Sequence, residues 1–299
     1  MKKFAMAAVA VAAMMAGGAQ AYTAGTFSNG AVVPNVIHNG DSNFTAVGLV
    51  NQTGGTVPVF WTFFDQNSAH VTDGCFVMTD KAYRGFNWKA ESGLGLENKR
   101  GYLVFAVGGG TAGASTCAST AHNVNGRIGV HAFQVDTATQ DVAYTPVIDG
   151  PLGTLSTAAG IDGDLTTMDA ASVGVVAGAA QAGTNANFSM RYYLENGAST
   201  NIVVWSTGRH NGSHTINIFD NAQNRKSVNF DLTQQELDWF NPVSIAGRPA
   251  NFVDGFIDWN ANSALKNAAG STVPGSIFTY SVMVAPAFGA AQTVLGMHR

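Results

Sequence analysis

The chain has 299 residues, and only 11% of them are charged, well below the quarter that is typical of a soluble domain. Its formal net charge is −4 and no basic stripe runs along it, which argues against nucleic-acid binding. Hydrophobic residues make up 46% of the chain, including 18 Phe and 5 Trp, so the chain can bury a core and is not expected to be disordered. Its surface should therefore consist mainly of hydroxyl and amide groups.

The N-terminus has the pattern of a cleavable secretory signal over residues 1–21. Lys2 and Lys3 precede a short apolar run, and the tripeptide 19–21 (AQA) has the small-x-small form that signal peptidase cuts. The run is too short for a transmembrane anchor, which needs roughly 18 apolar residues, and no later segment approaches that length. The sequence predicts a mature chain from about Tyr22 that is exported to the periplasm, the cell surface or the extracellular space.

The chain contains two cysteines, Cys75 and Cys117. In an oxidising compartment an isolated pair is most simply one disulfide. A reactive thiol pair is the alternative, but neither a C-x-x-C motif nor a neighbouring base indicates it. The sequence therefore predicts a structural disulfide.

Short runs of alternating apolar and polar residues, separated by Gly, Asn, Asp and Pro, predict β-strands throughout the first half. In chain order the expected strands are 31–38, 44–50, 57–64, 75–79, 83–88, 101–107 and 127–135. A further strand is expected at 142–148, and a short helix or an ordered loop at 168–182. In the second half, Thr233 and Glu236 have capping-box spacing, which predicts one or two helical turns over 233–239.

The same order of features recurs after about 155 residues. The matched segments are 39–40 with 196–197, 46–50 with 202–205, 64–67 with 219–222, 76–79 with 230–233, 101–105 with 255–259, and 126–135 with 275–284. Six matches in one order indicate a tandem duplication of a β-unit of about 100 residues. Two unrelated β-segments with common strand–turn chemistry are the alternative.

Short strands with turn signals every 8–12 residues predict an antiparallel sandwich. The segments 57–65 (VPVFWTFFD) and 214–220 (HTINIFD) resemble the strand–turn core of immunoglobulin-like and fibronectin-III-like repeats of secreted bacterial proteins. The resemblance implies an all-β fold of two tandem antiparallel β-sandwich (Ig-like) modules and implies no ligand. The predicted divisions are the signal peptide 1–21, a first module 22–136, a Gly/Ala/Thr-rich connecting segment 137–186 and a second module 187–299.

Two groups of residues are weak candidates for metal binding. Asp162, Asp164 and Asp169 place carboxylates close together in the connecting segment, as Ca²⁺ prefers, but the EF-hand spacing is missing and a solvated turn is the favoured interpretation. His210 and His214 are four residues apart in an expected hairpin loop, where Zn²⁺ binding competes with the simpler role of exposed polar residues.

No nucleophile motif of the Gly-x-Ser-x-Gly or Ser-x-x-Lys kind stands in its proper context, so we predict neither a catalytic residue nor a cofactor. The leading functional hypothesis is an exported, non-enzymatic structural or adhesive protein of the cell envelope or extracellular space. Its partner would be a protein or glycan at the envelope, or another copy of itself. One alternative is a carbohydrate- or small-ligand-binding module, in which Trp88 or Trp239 could stack on sugar rings. Another is a secreted hydrolase whose acids meet only in the fold.

Overall fold

The structure is a computed structural model that describes residues 25–93, 95–109, 115–118, 121–152 and 179–299. The described residues form antiparallel β-sheets, so the predicted all-β class is confirmed. Besides strands they contain a single-turn α-helix, α1 (Trp88–Glu91), and two 3₁₀ helices at Pro242–Ser244 and Pro286–Phe288. In this part of the chain no helix is long and apolar enough to cross a membrane.

Sheet I contains the nine strands of the N-terminal half. They are β1 (Gly30–Asn39), β2 (Asn43–Asn51), β3 (Val57–Asp65), β4 (His70–Met78), β5 (Tyr83–Asn87), β6 (Lys99–Val107), β7 (Ile128–Asp136), β8 (Asp141–Thr145) and β9 (Ile148–Asp149). Their order is β4-β3-β6-β1-β2-β7-β8, with β5 added on β2 and β9 on β1. Strands β8 and β9 lie within the segment that the sequence suggested as a connector.

The C-terminal half forms two separate sheets. Its strands are β10 (Ala180–Gln181), β11 (Asn187–Tyr193), β12 (Ser199–Ser206), β13 (Gly212–Asp220), β14 (Arg225–Leu232), β15 (Leu237–Phe240), β16 (Asp254–Asn260), β17 (Ser276–Ala285), β18 (Ala290–Leu295) and β19 (Met297–His298). Sheet II has the order β10-β17-β12-β15, with β18 on β17, and sheet III has the order β14-β13-β16-β11-β19.

The helix predicted over 233–239 is wrong. Leu237–Phe240 instead form β15, which pairs with β12. The Asp238 carboxylate accepts hydrogen bonds from the backbone N–H and the hydroxyl of Thr233, so Thr233 does not cap a helix. The segment predicted at 168–182 lies outside the described residues up to position 178.

Sheet I folds back on itself because β1 bends. Its register against β6 shifts between Val33 and Val36, around Pro34, and its last residues then pair with β2. This bend divides sheet I into an inner flank (β4, β3, β6, β1 and β9) and an outer flank (β5, β2, β7 and β8). The two flanks enclose a core in which the Trp61 and Phe86 rings meet edge-on with centroids 5.2 Å apart.

The C-terminal half has its own core between sheets II and III. It includes Phe188, Tyr192 and Trp259 from sheet III and Ile202 and Val204 from sheet II. The opposite face of sheet II packs on the inner flank of sheet I, and we call this contact the joint. Phe60, Tyr102 and Val104 of the inner flank meet Trp205, Phe278 and Tyr280 of sheet II there. Strands at the joint are buried on both faces, which explains why β3 and β6 read as continuous apolar runs.

The strand order is the same in the two halves. The inner flank, β4-β3-β6-β1-β9, corresponds to β14-β13-β16-β11-β19 of sheet III, and the outer flank, β5-β2-β7-β8, corresponds to β15-β12-β17-β18 of sheet II. Immunoglobulin domains have a different order, A-B-E-D facing C-F-G. The turn after β3 also recurs after β13, since Asp65 accepts hydrogen bonds from the N–H groups of Asn67 and Ala69, and Asp220 does so from Ala222 and Asn224.

One glycine in each half permits a close approach of two strands. A Cβ atom at Gly255 would overlap the carbonyl oxygen of Phe219, and one at Gly101 would overlap that of Phe64. We expect Gly255→Ala to lower the free energy of unfolding by about 1–3 kcal/mol, because β13 and β16 must separate to make room. Denaturant unfolding measures this effect. Gly55→Ala is the matched control, since no atom lies within 4 Å of its Cβ position, and an equal loss in that variant would contradict the prediction.

Candidate functional site

The joint holds a partly buried arginine. Arg100, on β6, donates a hydrogen bond to the Asn35 side chain at 2.6 Å, and its guanidinium carbon lies 4.2 Å from the centroid of the Trp239 ring. Burial lowers the pKa of Arg100 to about 10. The opposite face of the joint presents Tyr280, whose phenol pKa is raised by burial, an effect that Asn35 and Arg100 partly oppose. The cation–π contact of Arg100 with Trp239 therefore joins β6 of the N-terminal half to β15 of the C-terminal half.

A second group of contacts ties the β3–β4 turn to the strand entering β15. The Gln66 side chain donates to the carbonyl oxygen of Leu237 at 3.1 Å, and the Gln66 carbonyl accepts from the N–H groups of Glu236 and Leu237. Ser68 donates to the Glu236 carboxylate, which also lies 3.5 Å from the Tyr102 hydroxyl. Burial raises the pKa of Tyr102 well above its ordinary value, and the Glu236 charge raises it further. These polar contacts link the two halves at the edge of the joint.

The outer face of sheet III carries a stacked aromatic pair. The Phe219 and Phe256 rings lie nearly parallel at 7°, with centroids 4.6 Å apart, and Phe256 is 38% exposed. Asp258 stands beside them, in register with Asn217 on one side and Ser189 on the other. The two rings, Asp258 and Ser189 border an open cleft of about 470 Å³, completed by Asn187, Met297, His298 and Arg299. Apolar rings beside carboxylate, amide and hydroxyl groups form a surface suited to contact with another molecule.

Sheet III corresponds to the inner flank in strand order. The equivalent face of the inner flank is the one that is buried at the joint. Two positions are aromatic on both faces. Phe64 and Tyr102 at the joint form a stacked pair, and Phe219 and Phe256 form a stacked pair at the equivalent positions of sheet III. At other positions apolar or small residues of the joint give way to polar ones. The exchanges, taken from strand registers, are Phe60 to Thr215, Thr62 to Asn217, Val104 to Asp258, Ala106 to Asn260 and Val32 to Ser189.

The outer flank of sheet I presents the other exposed face. Tyr83 is 71% exposed and lies over Gly48, and Phe133 is 41% exposed. The Phe133 ring meets that of Tyr144 edge-on, with centroids 6.1 Å apart, next to the exposed Val142. Within the described residues this is an apolar and aromatic patch on an antiparallel sheet, and patches of this kind mark interaction surfaces.

The two candidate histidines do not form an exposed pair, so the expectation of polar loop residues is wrong for His210. His210 is fully buried, with Nδ1 lying 2.8 Å from the Ser206 hydroxyl and Nε2 3.1 Å from the Asp238 carboxylate. His214 Nε2 donates to the carbonyl oxygen of His210 at 2.7 Å, and burial lowers its pKa. Among the described residues, no group of three or more His, Cys, Asp or Glu side chains is placed to hold a metal ion.

Ser206, His210 and Asp238 share the residue types of a catalytic triad, but their arrangement is structural. In a triad Nε2 faces the serine and Nδ1 the aspartate, whereas here the two nitrogens are exchanged. Ser206 is fully buried, and its hydroxyl donates to the carbonyl oxygen of Gly208 at 2.6 Å. The chain of hydrogen bonds therefore fastens the 206–210 loop to β15.

We expect Asp238→Ala to lower the free energy of unfolding by about 1–3 kcal/mol. The carboxylate accepts hydrogen bonds from the buried His210 ring and from the backbone N–H groups of Thr233 and Gln234, and its removal leaves these donors without their partner. Denaturant unfolding measures the loss. Asp231→Ala is the matched control, because Asp231 is an exposed residue of β14; equal stability of the two variants would contradict the structural role of Asp238.

Near His214 a second cleft of about 520 Å³ opens between β13 and β16. Polar groups dominate its walls, which include Asn211, Thr215, Asn260, Ser263 and Lys266. The Lys266 ammonium donates to the Thr272 hydroxyl at 2.9 Å. The cleft offers hydrogen-bonding groups but little apolar surface.

The remaining candidate residues fall into three groups. Asp162, Asp164 and Asp169 lie outside the described residues. Cys75 and Cys117 lie at disulfide distance, with Cα atoms 5.9 Å apart. The two tryptophans considered for sugar stacking are both engaged: Trp88 is fully buried in the core of sheet I, and Trp239 lies under Arg100 at the joint.

Comparison with known proteins adds little. No protein-family model and no curated protein matches the chain. Among solved structures, the chain is similar to the formate complex of Lactobacillus farciminis oxalate decarboxylase, at 10% identity and a TM-score of 0.19, with 86% of this chain and 74% of that one covered. A mutant of Bacillus subtilis oxalate decarboxylase gives 9% identity and a TM-score of 0.19, with 84% and 66% covered. Scores this low support no statement about fold or activity.

Proposed function

We propose that this chain is an exported, non-enzymatic structural or adhesive protein of the cell envelope or extracellular space. The observation that carries the proposal is the pair of exposed faces on the two outermost sheet layers, one around Phe133 and one around Phe256. Aromatic residues beside polar groups suit contact with a macromolecular partner. The signal pattern at residues 1–21 and the cysteine pair support export.

Two β-sandwich modules would carry these faces, and the repeated strand order supports a duplication as their origin. Each half also has a separate hydrophobic core. The first module would extend beyond residue 136, since β8 and β9 belong to sheet I. The likeness to immunoglobulin-like repeats is then one of class, an antiparallel sandwich, with a strand order of its own.

Fractionation of the native host into periplasm, envelope and medium tests the proposal, together with the mass of the protein in each fraction. We expect the mature chain, beginning near Tyr22, in the envelope or the medium and bound to a partner or to itself. Recovery only as a monomer in the periplasm, or as an uncleaved cytoplasmic chain, would overturn it.

The cleft on sheet III favours a second candidate function, the binding of a carbohydrate or another small ligand. Phe256 offers a ring for apolar contact, while Asp258 and Asn217 offer hydrogen-bonding groups close by. A glycan array probed with the mature protein tests this candidate. Binding that Phe256→Ala abolishes and Val243→Ala preserves would support it, because Val243 is an exposed residue of a 3₁₀ helix outside this face, and no binding across the array would count against it.

A further inference from the structure

The joint is a contact between two different faces. The outer face of the inner flank, from the N-terminal half, packs on sheet II, which corresponds by strand order to the outer flank. When two unlike faces are in contact, each unit still has a free face for a further unit, so the contact can be repeated. When two like faces are in contact, the assembly is complete as a dimer. The contact therefore has a direction, and the two halves are stacked head to tail.

The faces left exposed by this stacking are the matching pair. The N-terminal half exposes its outer flank, the counterpart of sheet II, and the C-terminal half exposes sheet III, the counterpart of the inner flank. Both faces are exposed in the part of the chain that the structure describes. The same operation that relates the two halves would thus place the outer flank of a second copy on sheet III of the first.

Two features of the inner-flank side of the joint recur on sheet III. The stacked pair Phe219 and Phe256 repeats the pair Phe64 and Tyr102, of which Tyr102 meets Trp205 edge-on at 5.7 Å across the joint. The turn after β13 repeats the hydrogen bonding of the turn after β3, which binds the strand entering β15. Sheet III therefore repeats the elements with which the inner flank makes the contact inside the chain.

One pair of positions indicates electrostatic matching. At the joint Arg100 faces Tyr280, and the equivalent positions on the exposed faces hold Asp254 on sheet III and His131 on the outer flank. Asp254 also forms an ion pair with Arg191 on its own sheet. If the contact is repeated, the imidazole of His131 and the carboxylate of Asp254 would take the places of the tyrosine and the arginine, and these two groups can share a hydrogen bond.

We propose that copies of this chain associate head to tail, with the outer flank of one copy docked on the sheet III face of the next. The proposal deepens the proposed structural function and rests on it. Polar residues at five positions of sheet III, among them Asn217 and Asp258, make this contact weaker than the joint and dependent on concentration. If the rotation that relates one copy to the next brings the last copy back onto the first, the product is a ring. If it does not, the product is a filament.

Sedimentation and light scattering of the purified mature chain over a wide concentration range test the proposal. Two variants each introduce a charge into one exposed face: Phe256→Asp on sheet III and Phe133→Asp on the outer flank. We expect each to weaken self-association at least about tenfold. Val243→Asp is the matched control and should associate like the unmodified chain, since Val243 is exposed and lies on neither face. Unfolding curves verify that every variant is folded.

Mixing the two variants gives the decisive result. The Phe133→Asp chain keeps an intact sheet III and the Phe256→Asp chain an intact outer flank, so the mixture should form dimers containing one of each and no larger species. Association of either variant alone, or a monomeric unmodified chain at every concentration, would overturn the head-to-tail contact. A monomeric chain recovered from the envelope would overturn this inference alone, because its location there would still agree with the proposed function.

Discussion

Truncating the central tryptophan of the joint, Trp205→Ala, is expected to lower the free energy of unfolding by about 3–5 kcal/mol. Trp205 is fully buried between sheet II and the inner flank, where its ring meets that of Tyr102. The surrounding strands are fixed by pairing on both sides, so they cannot close the cavity that the substitution leaves. Denaturant unfolding measures the loss.

The same variant is also expected to separate thermal unfolding into two transitions, because each half keeps its own core when the joint is weakened. Trp88→Ala is the comparison: this residue is equally buried but lies in the core of sheet I, away from the joint. Tyr83→Ala, at an exposed position, should change stability by no more than about 0.5 kcal/mol. A single cooperative transition in the Trp205→Ala variant would contradict the separation of the two halves.

Removal of the cysteine pair, in the double variant Cys75→Ser, Cys117→Ser, is expected to cost about 3–4 kcal/mol of unfolding free energy. The two residues are 42 positions apart, and their link restricts the unfolded chain over β5, α1 and β6. Unfolding is measured under oxidising conditions, and both cysteines are replaced so that no free thiol remains.

Reduction of the unmodified chain supplies the control for this prediction. With excess reductant, its stability should fall to that of the double variant, while the double variant itself should not respond. A loss below about 1 kcal/mol, or a response of the double variant to reductant, would show that the bond does not provide the stabilisation.

The local pattern of the sequence anticipated most of the strands. Alternation over 127–135 predicted β7, which alternates between buried and exposed residues because only its inner side faces a core. The spacing of Gly101 and Gly255 and of the Phe-Asp turns also reflected real equivalence, since these residues take the same positions in the two halves. Such features arise within one strand or one turn, so a short stretch of sequence contains them.

The prediction failed where a distant partner decides the outcome. Thr233 and Glu236 fit a capping box, but Asp238 binds Thr233 and pairing with β12 draws the segment into a strand. His210 looked like an exposed loop residue because nothing near it in sequence reveals Asp238, 28 residues away. The role of Arg100 at the joint could not be identified, because its ring partner, Trp239, comes from the other half of the chain.

By itself the sequence determined the β class, the positions of most strands and the pairing expected of two isolated cysteines. Each of these follows from composition or from a period of two residues along the backbone. Only the tertiary structure decided that the inner flank and sheet II are buried against each other, and that one face of the outer flank and one face of sheet III are exposed. Alternation marks two faces on every strand, but which of them meets another sheet depends on contacts between residues more than 100 positions apart.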